Sequence, residues 1–162
     1  MQKQQHYKAE TYRAQTSIGY LVKRAYSLCL NVMEPLFEQH GFTFFQYQIL
    51  AWLRDGIGLN PRDICAQYRH NSGALTRVID QLEEKGFIER LRRDRDRRKV
   101  ELQLTDAGRK VIGILIPLVV EQLNLALEDF SSDDVQQLTR LLLKFNTSLE
   151  HLAERNAVSE EA

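Results

Sequence analysis

The chain has 162 residues, 43% of them apolar, with 22 Lys plus Arg balanced by 22 Asp plus Glu, the size and make-up of one ordinary globular domain. Cys29 and Cys65 are far apart and form no Cys-x-x-Cys pair, which argues against a disulfide scaffold and for a reducing cytosol. Met1 to Glu10 is polar and the longest apolar run, Val111 to Val120, is interrupted by Pro117; it is about half of what a bilayer crossing needs, so neither an export signal nor a membrane partner is expected.

In chain order, Ile18, Leu21, Val22, Ala25, Leu28, Cys29, Val32, Met33 and Leu36 recur at spacings of three and four, which predicts one long amphipathic helix ended by Gly41. That stripe makes Cys29 a buried, inert thiol. Thr43 with Gln46 three positions on has capping-box spacing, and Tyr47, Ile49, Leu50 and Leu53 supply the apolar positions of a second helix. Asp55 to Leu59 is a turn. Asn60 before Pro61 opens a short helix to about Tyr68. Asn71 or Ser72 then caps another helix, striped by Leu75, Val78, Ile79 and Leu82 and closed by Gly86.

After Gly86 the period changes to two. Phe87 to Arg92 and Lys99 to Leu104 are drawn as strands, the second alternating Val100, Leu102 and Leu104 with Lys99, Glu101 and Gln103. Thr105 caps a helix from Asp106 to about Asp129, and Ser131 caps a last helix carrying Val135, Leu138, Leu141, Leu142, Phe145, Leu149 and Leu152. The tail 156–162 is expected to be disordered.

A short helix, a tight turn, a second helix and a hairpin directly after it make a winged helix-turn-helix. The fold class is therefore mainly α with a small β-hairpin wing: a winged lobe at 41–105, with helical regions at 8–40 and 106–155. Zero net charge conceals an asymmetry that fits this reading. Arg54 to Lys110 holds fourteen basic and ten acidic residues, and Arg90, Arg92, Arg93, Arg95, Arg97, Arg98 and Lys99 crowd into the hairpin. Such a cluster makes a local positive surface suited to a nucleic-acid backbone.

The run from Asn71 through Ser72, Gly73, Ala74, Leu75, Thr76 and Arg77 to Leu91, followed by Asp96, Arg98, Leu104 and Thr105, resembles the MarR family of bacterial winged helix-turn-helix regulators. The family's wing pattern is Asp, any residue, Arg, then a closing Leu-Thr. The resemblance implies a homodimer in which the N-terminal and last two helices interlock, so that 8–40 and 106–155 form a helical dimerisation region and two winged lobes straddle double-stranded DNA. The Leu-rich stripe of the last helix and the Val111 to Val120 run agree, offering more apolar surface than a small lobe covers.

On the 72–85 helix the apolar stripe leaves Ser72, Gly73, Thr76, Arg77 and Asp80 on or beside the opposite face. Ser72 and Thr76 hydroxyls can meet phosphates or base edges, Gly73 permits close backbone approach, and Arg77 can donate two hydrogen bonds to a guanine. Arg95, Arg97 and Arg98 form the wing's DNA contact, with Arg98 reaching the minor groove. Asp96 cannot favour phosphate; it orients Arg98 or Arg77 by a charge-assisted hydrogen bond.

Catalysis is not expected, because no nucleophile has a positioned base and no phosphate loop exists. His6, His40, His70 and His151 are scattered without ligand spacing, so neither a metal nor another cofactor is expected. The resemblance implies instead a small-molecule pocket between the dimer helices and the lobe, commonly for phenolic or other aromatic acids or their thioesters. Here Tyr20, Tyr47 and Trp52 would supply rings, and Lys23, Arg24 and His40 would neutralise a carboxylate. The leading reading is a dimeric repressor of the bacterial cytoplasm and nucleoid, released from a palindromic operator by such an effector. The alternatives are a redox-responsive repressor acting through Cys29 and a winged-helix module that binds protein.

Overall fold

The computed structural model describes residues 5–57, 60, 64, 72–92 and 100–160. Two short 3-10 turns, Ala9–Thr11 and Ala14–Thr16, lead into helix α1 (Ile18–Glu38). The Ser17 hydroxyl accepts the Tyr20 amide at 3.3 Å and the Tyr7 hydroxyl accepts the Ile18 amide at 3.0 Å, satisfying donors that a helix start leaves without intrahelical partners. Helix α2 (Phe44–Arg54) opens on the expected capping box, in which the Thr43 hydroxyl accepts the Gln46 amide and the Gln46 side chain accepts the Thr43 amide, both at 3.1 Å. Glu34 of α1 adds an acceptor for the Phe44 amide at 3.0 Å.

Helix α3 spans Ser72–Glu84. It ends as the sequence predicts, with the Gly86 amide bonded to the Glu83 carbonyl and the Phe87 amide to the Leu82 carbonyl at 2.8 and 2.9 Å. Gly86 has φ +74°, a left-handed conformation that is strained for a residue with a Cβ. Strands β1 (Ile88–Arg92) and β2 (Val100–Leu104) pair antiparallel, Ile88 opposite Leu104, Arg90 opposite Leu102 and Arg92 opposite Val100. The Thr105 hydroxyl then caps helix α4 (Asp106–Ala126), accepting the Gly108 amide at 3.0 Å and donating to the Gly86 carbonyl at 2.6 Å. One hydroxyl thus joins the end of the hairpin to its beginning.

The chain divides into two compact units, 1–120 and 121–162. The core of the first gathers Phe37, Ile49, Leu50, Ile64, Leu75, Ile79, Leu82, Ile88, Leu102, Ile112 and Leu115, each under 2% exposed. Burying a side chain of this size contributes about 1.5–3 kcal/mol. Gln46 is a buried polar residue whose amide donates to Gln81 of α3 at 3.1 Å, so its burial leaves no orphaned group. Ile64 is helical, fully buried and bonded through its amide to the Asn60 carbonyl. The rest of the short helix expected there, including Pro61, Cys65 and Tyr68, and the cap residue Asn71, lie outside the described residues.

Two expectations are corrected. Cys29 is exposed, not buried, because α1 buries only Met33 and Phe37. Its observed contacts to α2 come from its last turns, where Glu34 bonds the start of α2 and Phe37 stacks on Tyr47. Upstream, Leu28 and Val32 stay 52% and 53% exposed. The second correction concerns the end of the chain. In the second unit helix α5 spans Ser132–Glu160, so residues 156–160 continue the helix. Ala153, Glu154, Arg155 and Ala157 are strong helix formers, and Glu128 to Ala162 contains neither Gly nor Pro to stop it. Ser131 caps α5 as expected, its hydroxyl bonded to the Asp134 carboxylate and accepting the Asp134 amide at 3.2 Å.

Candidate nucleic-acid interface

The geometry of α3 follows from its stripe. Leu75, Ile79 and Leu82 are buried and Val78 is half-buried, so Gly73, Thr76, Arg77 and Asp80 are left exposed. Ser72 begins the helix, where peptide dipoles leave partial positive charge suited to an anion. Among the described residues no carboxylate lies within ion-pair distance of the exposed Arg77.

The C-terminal half of α3 is held by polar contacts on three sides. Gln81 accepts from Gln46 of α2, and Lys85, just beyond the helix, donates to the Gly41 carbonyl at 3.1 Å while lying 5.3 Å from the centre of the Phe42 ring. Arg90 of β1 reaches back to both Asp80 and Glu83. The expected wing contacts Arg95, Arg97 and Arg98, and the orienting Asp96, lie outside the described residues.

Arg90 is the residue whose part sequence reasoning missed, since there it only added to a positive count. The signal was present in the alternation. Ile88 opposes Leu104 and Arg90 opposes Leu102, and residues two apart share a sheet face, so Arg90 occupies a position on the apolar, core-facing side of the hairpin. A charge placed there needs a partner, and α3 supplies two.

The residues expected to bind an effector fall into separate places. Tyr47 and Trp52 of α2 are half-buried and pack on the core. Tyr47 stacks on Phe37 with ring centres 4.6 Å apart and 17° between planes. Burial pushes its phenol above the ordinary value of 10, opposed by the Arg54 charge and aided by Asp55. Tyr20, Lys23 and Arg24 are exposed near the start of α1, and His40 is exposed just past its end. The eighteen helical steps from Tyr20 to Glu38 span about 27 Å at 1.5 Å each, so one small acid cannot touch Tyr20 and His40 of the same chain.

Among the described residues no group of three His, Cys, Asp or Glu could hold a metal ion, and no helix is long and apolar enough to cross a membrane.

Known proteins share this arrangement. A model of the MarR family matches residues 42–100, from two residues before α2 to the first residue of β2. The chain is 30% identical over 115 residues to the HTH-type transcriptional regulator YkoM of Bacillus subtilis, covering 71% of this chain and 75% of the relative. It is 29% identical over 128 residues to the transcriptional repressor MprA of Escherichia coli K12, covering 72% and 73%. A mutant MarR from E. coli, solved in complex with operator DNA, superposes with a TM-score of 0.67 at 26% identity, covering 79% of this chain and 92% of that one. The chain belongs to the MarR family of winged helix-turn-helix proteins, and is a DNA-binding transcriptional regulator rather than an enzyme.

Proposed function

We propose that the chain works in the bacterial cytoplasm, at the nucleoid, as a homodimeric repressor that reads a two-fold symmetric operator and leaves it when a small aromatic acid binds. The observation that carries the DNA half is the exposed face of α3. Thr76 and Arg77 stand opposite the buried Leu75, Ile79 and Leu82, with Arg77 unpaired among the described residues. In the major groove Arg77 forks onto a guanine or a phosphate, Ser72 and Thr76 bond phosphates or base edges, and Gly73 lets the helix approach closely. Arg95, Arg97 and Arg98 grip the flanking backbone and minor groove, with Asp96 orienting Arg98. The dimer is supported by apolar side chains that each unit exposes: Leu21, Leu28 and Val32 in the first, Leu138, Leu141 and Leu149 in the second.

The effector half rests on Tyr47 and Trp52, half-buried aromatics of α2, with Tyr20, Lys23, Arg24 and His40 as further contacts, brought together by the second copy where one chain cannot do so. A ligand wedged beside Tyr47 and Trp52 has only to favour a lobe spacing that misfits successive grooves. If it binds that state about a hundredfold better, it opposes DNA binding by roughly 2.7 kcal/mol per site.

The test of the DNA half is a comparison of variants on a panel of duplexes at several salt concentrations. Arg98→Ala is expected to weaken binding to every sequence, whereas Thr76→Ala and Arg77→Ala relax the preference among sequences by about 1–3 kcal/mol. Wild-type binding that ignores both salt and sequence would refute the reading and favour a protein-binding module.

A further inference from the structure

We infer that Arg90 is a positioning residue for sequence reading: by holding Asp80 and Glu83, it keeps Arg77 free to donate to DNA. The inference rests on the proposed role of Arg77 and adds the device that keeps that side chain available. Residues three apart on a helix are surface neighbours, so Asp80 is the carboxylate that α3 itself places nearest to Arg77. An Arg three positions from an Asp on an exposed helix face ordinarily pairs with it for part of the time. In this protein Asp80 is bonded instead to one guanidinium nitrogen of Arg90, while Glu83 is bonded to another. Among the described residues Arg77 has no ion pair.

The fork geometry explains why the competition goes to Arg90. A guanidinium presents donors in a rigid plane and can serve two carboxylates at once, and Asp80 and Glu83 lie three apart on the same helix face. Arg90 starts from β1, on the hairpin face that packs against the core, with side chains of Asp80, Glu83 and Arg90 all partly exposed. Nothing in this role requires Arg90 to touch DNA.

The experiment is a double-mutant cycle on the duplex that the wild-type protein enriches from a random pool, with a scrambled duplex of equal length as reference. Arg90→Met removes the fork while keeping an apolar stem on the hairpin's inner face. The expected result is that Arg90→Met lowers the ratio of selected to scrambled affinity by roughly two- to sixfold, the most that competition from an exposed Arg–Asp pair on a helix can remove and less than the loss from Arg77→Ala. In an Arg77→Ala background it should lower the ratio no further. Adding Asp80→Asn and Glu83→Gln to Arg90→Met should restore the ratio, whereas Asp80→Asn alone should leave it unchanged.

A merely structural Arg90 would weaken binding to both duplexes alike and would add to the loss from Arg77→Ala, and either result would overturn the inference. An Arg77→Ala protein that keeps the full ratio would overturn the reading of Arg77, and this inference with it. Loss in Arg77→Ala but none in Arg90→Met would overturn the inference alone. Thermal melts of each variant identify misfolding. Should Arg90→Met fail to fold, Arg90→Lys, a single point donor that cannot serve both carboxylates as a fork, is expected to show a smaller loss of the same ratio. An unchanged ratio in that variant would overturn the inference.

Discussion

Gly108 shows how one missing methyl group can decide the geometry of a lobe. A Cβ at this position would lie 2.0 Å from the Phe87 carbonyl oxygen and 3.2 Å from Leu104, so the first turn of α4 packs directly on the backbone where the hairpin begins. The obstacle is main chain, which gives way less easily than a flexible side chain, and Gly108→Ala is expected to destabilise the protein by about 1–3 kcal/mol, as overpacking does. A fall in the denaturant midpoint with unchanged slope would check this. Thr105 acts at the same joint. Thr105→Val keeps the shape but loses the bonds to Gly86 and Gly108, and the expected cost is about 1–2 kcal/mol. The sequence indicated Thr105 as a cap. Its second bond, to Gly86, was not legible, because it joins residues that only the closed hairpin brings together.

Helix boundaries were the most legible elements, since each depends on a few neighbouring residues. The pairing of Thr43 with Gln46, the cap of Ser131 and the glycine stop at Gly86 need only local geometry, and all three appear. The far end of α5 was misread because a polar, acidic tail was taken for disorder, when its alanines and lack of Gly or Pro favour continued helix. Burial was legible only where it is decided within the chain. The α1 stripe was read correctly as apolar, yet most of it is exposed, so periodicity located the face without revealing what covers it.

One element-level prediction follows from charge. The hydrogen bonds from the Ser131 side chain and backbone hold the Asp134 carboxyl below the usual carboxylate range. A lowered folded value means that this contribution is present above the unfolded carboxylate range and is lost as pH falls through the folded value. The first turn of α5 should therefore loosen only in acid. Ser131→Ala should raise the Asp134 titration midpoint toward an ordinary aspartate, as read by side-chain NMR; an unmoved midpoint would contradict the cap.

At the scale of the molecule, α1 and α5 both carry exposed leucines and valines. The proposed dimer predicts that sedimentation will give twice the 18.9 kDa chain mass, and that charged substitution at Leu28 and Leu149 will shift the protein toward monomer and weaken DNA binding. Two copies neutralising about six to ten phosphates should give a log–log salt slope of roughly −5 to −9.

The proposed dimer, α3 and the wing converge on one observable, the symmetry of the DNA sequence that the protein chooses. Selection of duplexes from a random pool by the purified full chain, followed by footprinting of the enriched sequence, measures it directly. The expected product is a two-fold symmetric site whose half-sites are about one helical turn apart, roughly 34–36 Å centre to centre. A pool that returns no shared sequence, or a single protected half-site without symmetry, would contradict a dimer reading bases through α3.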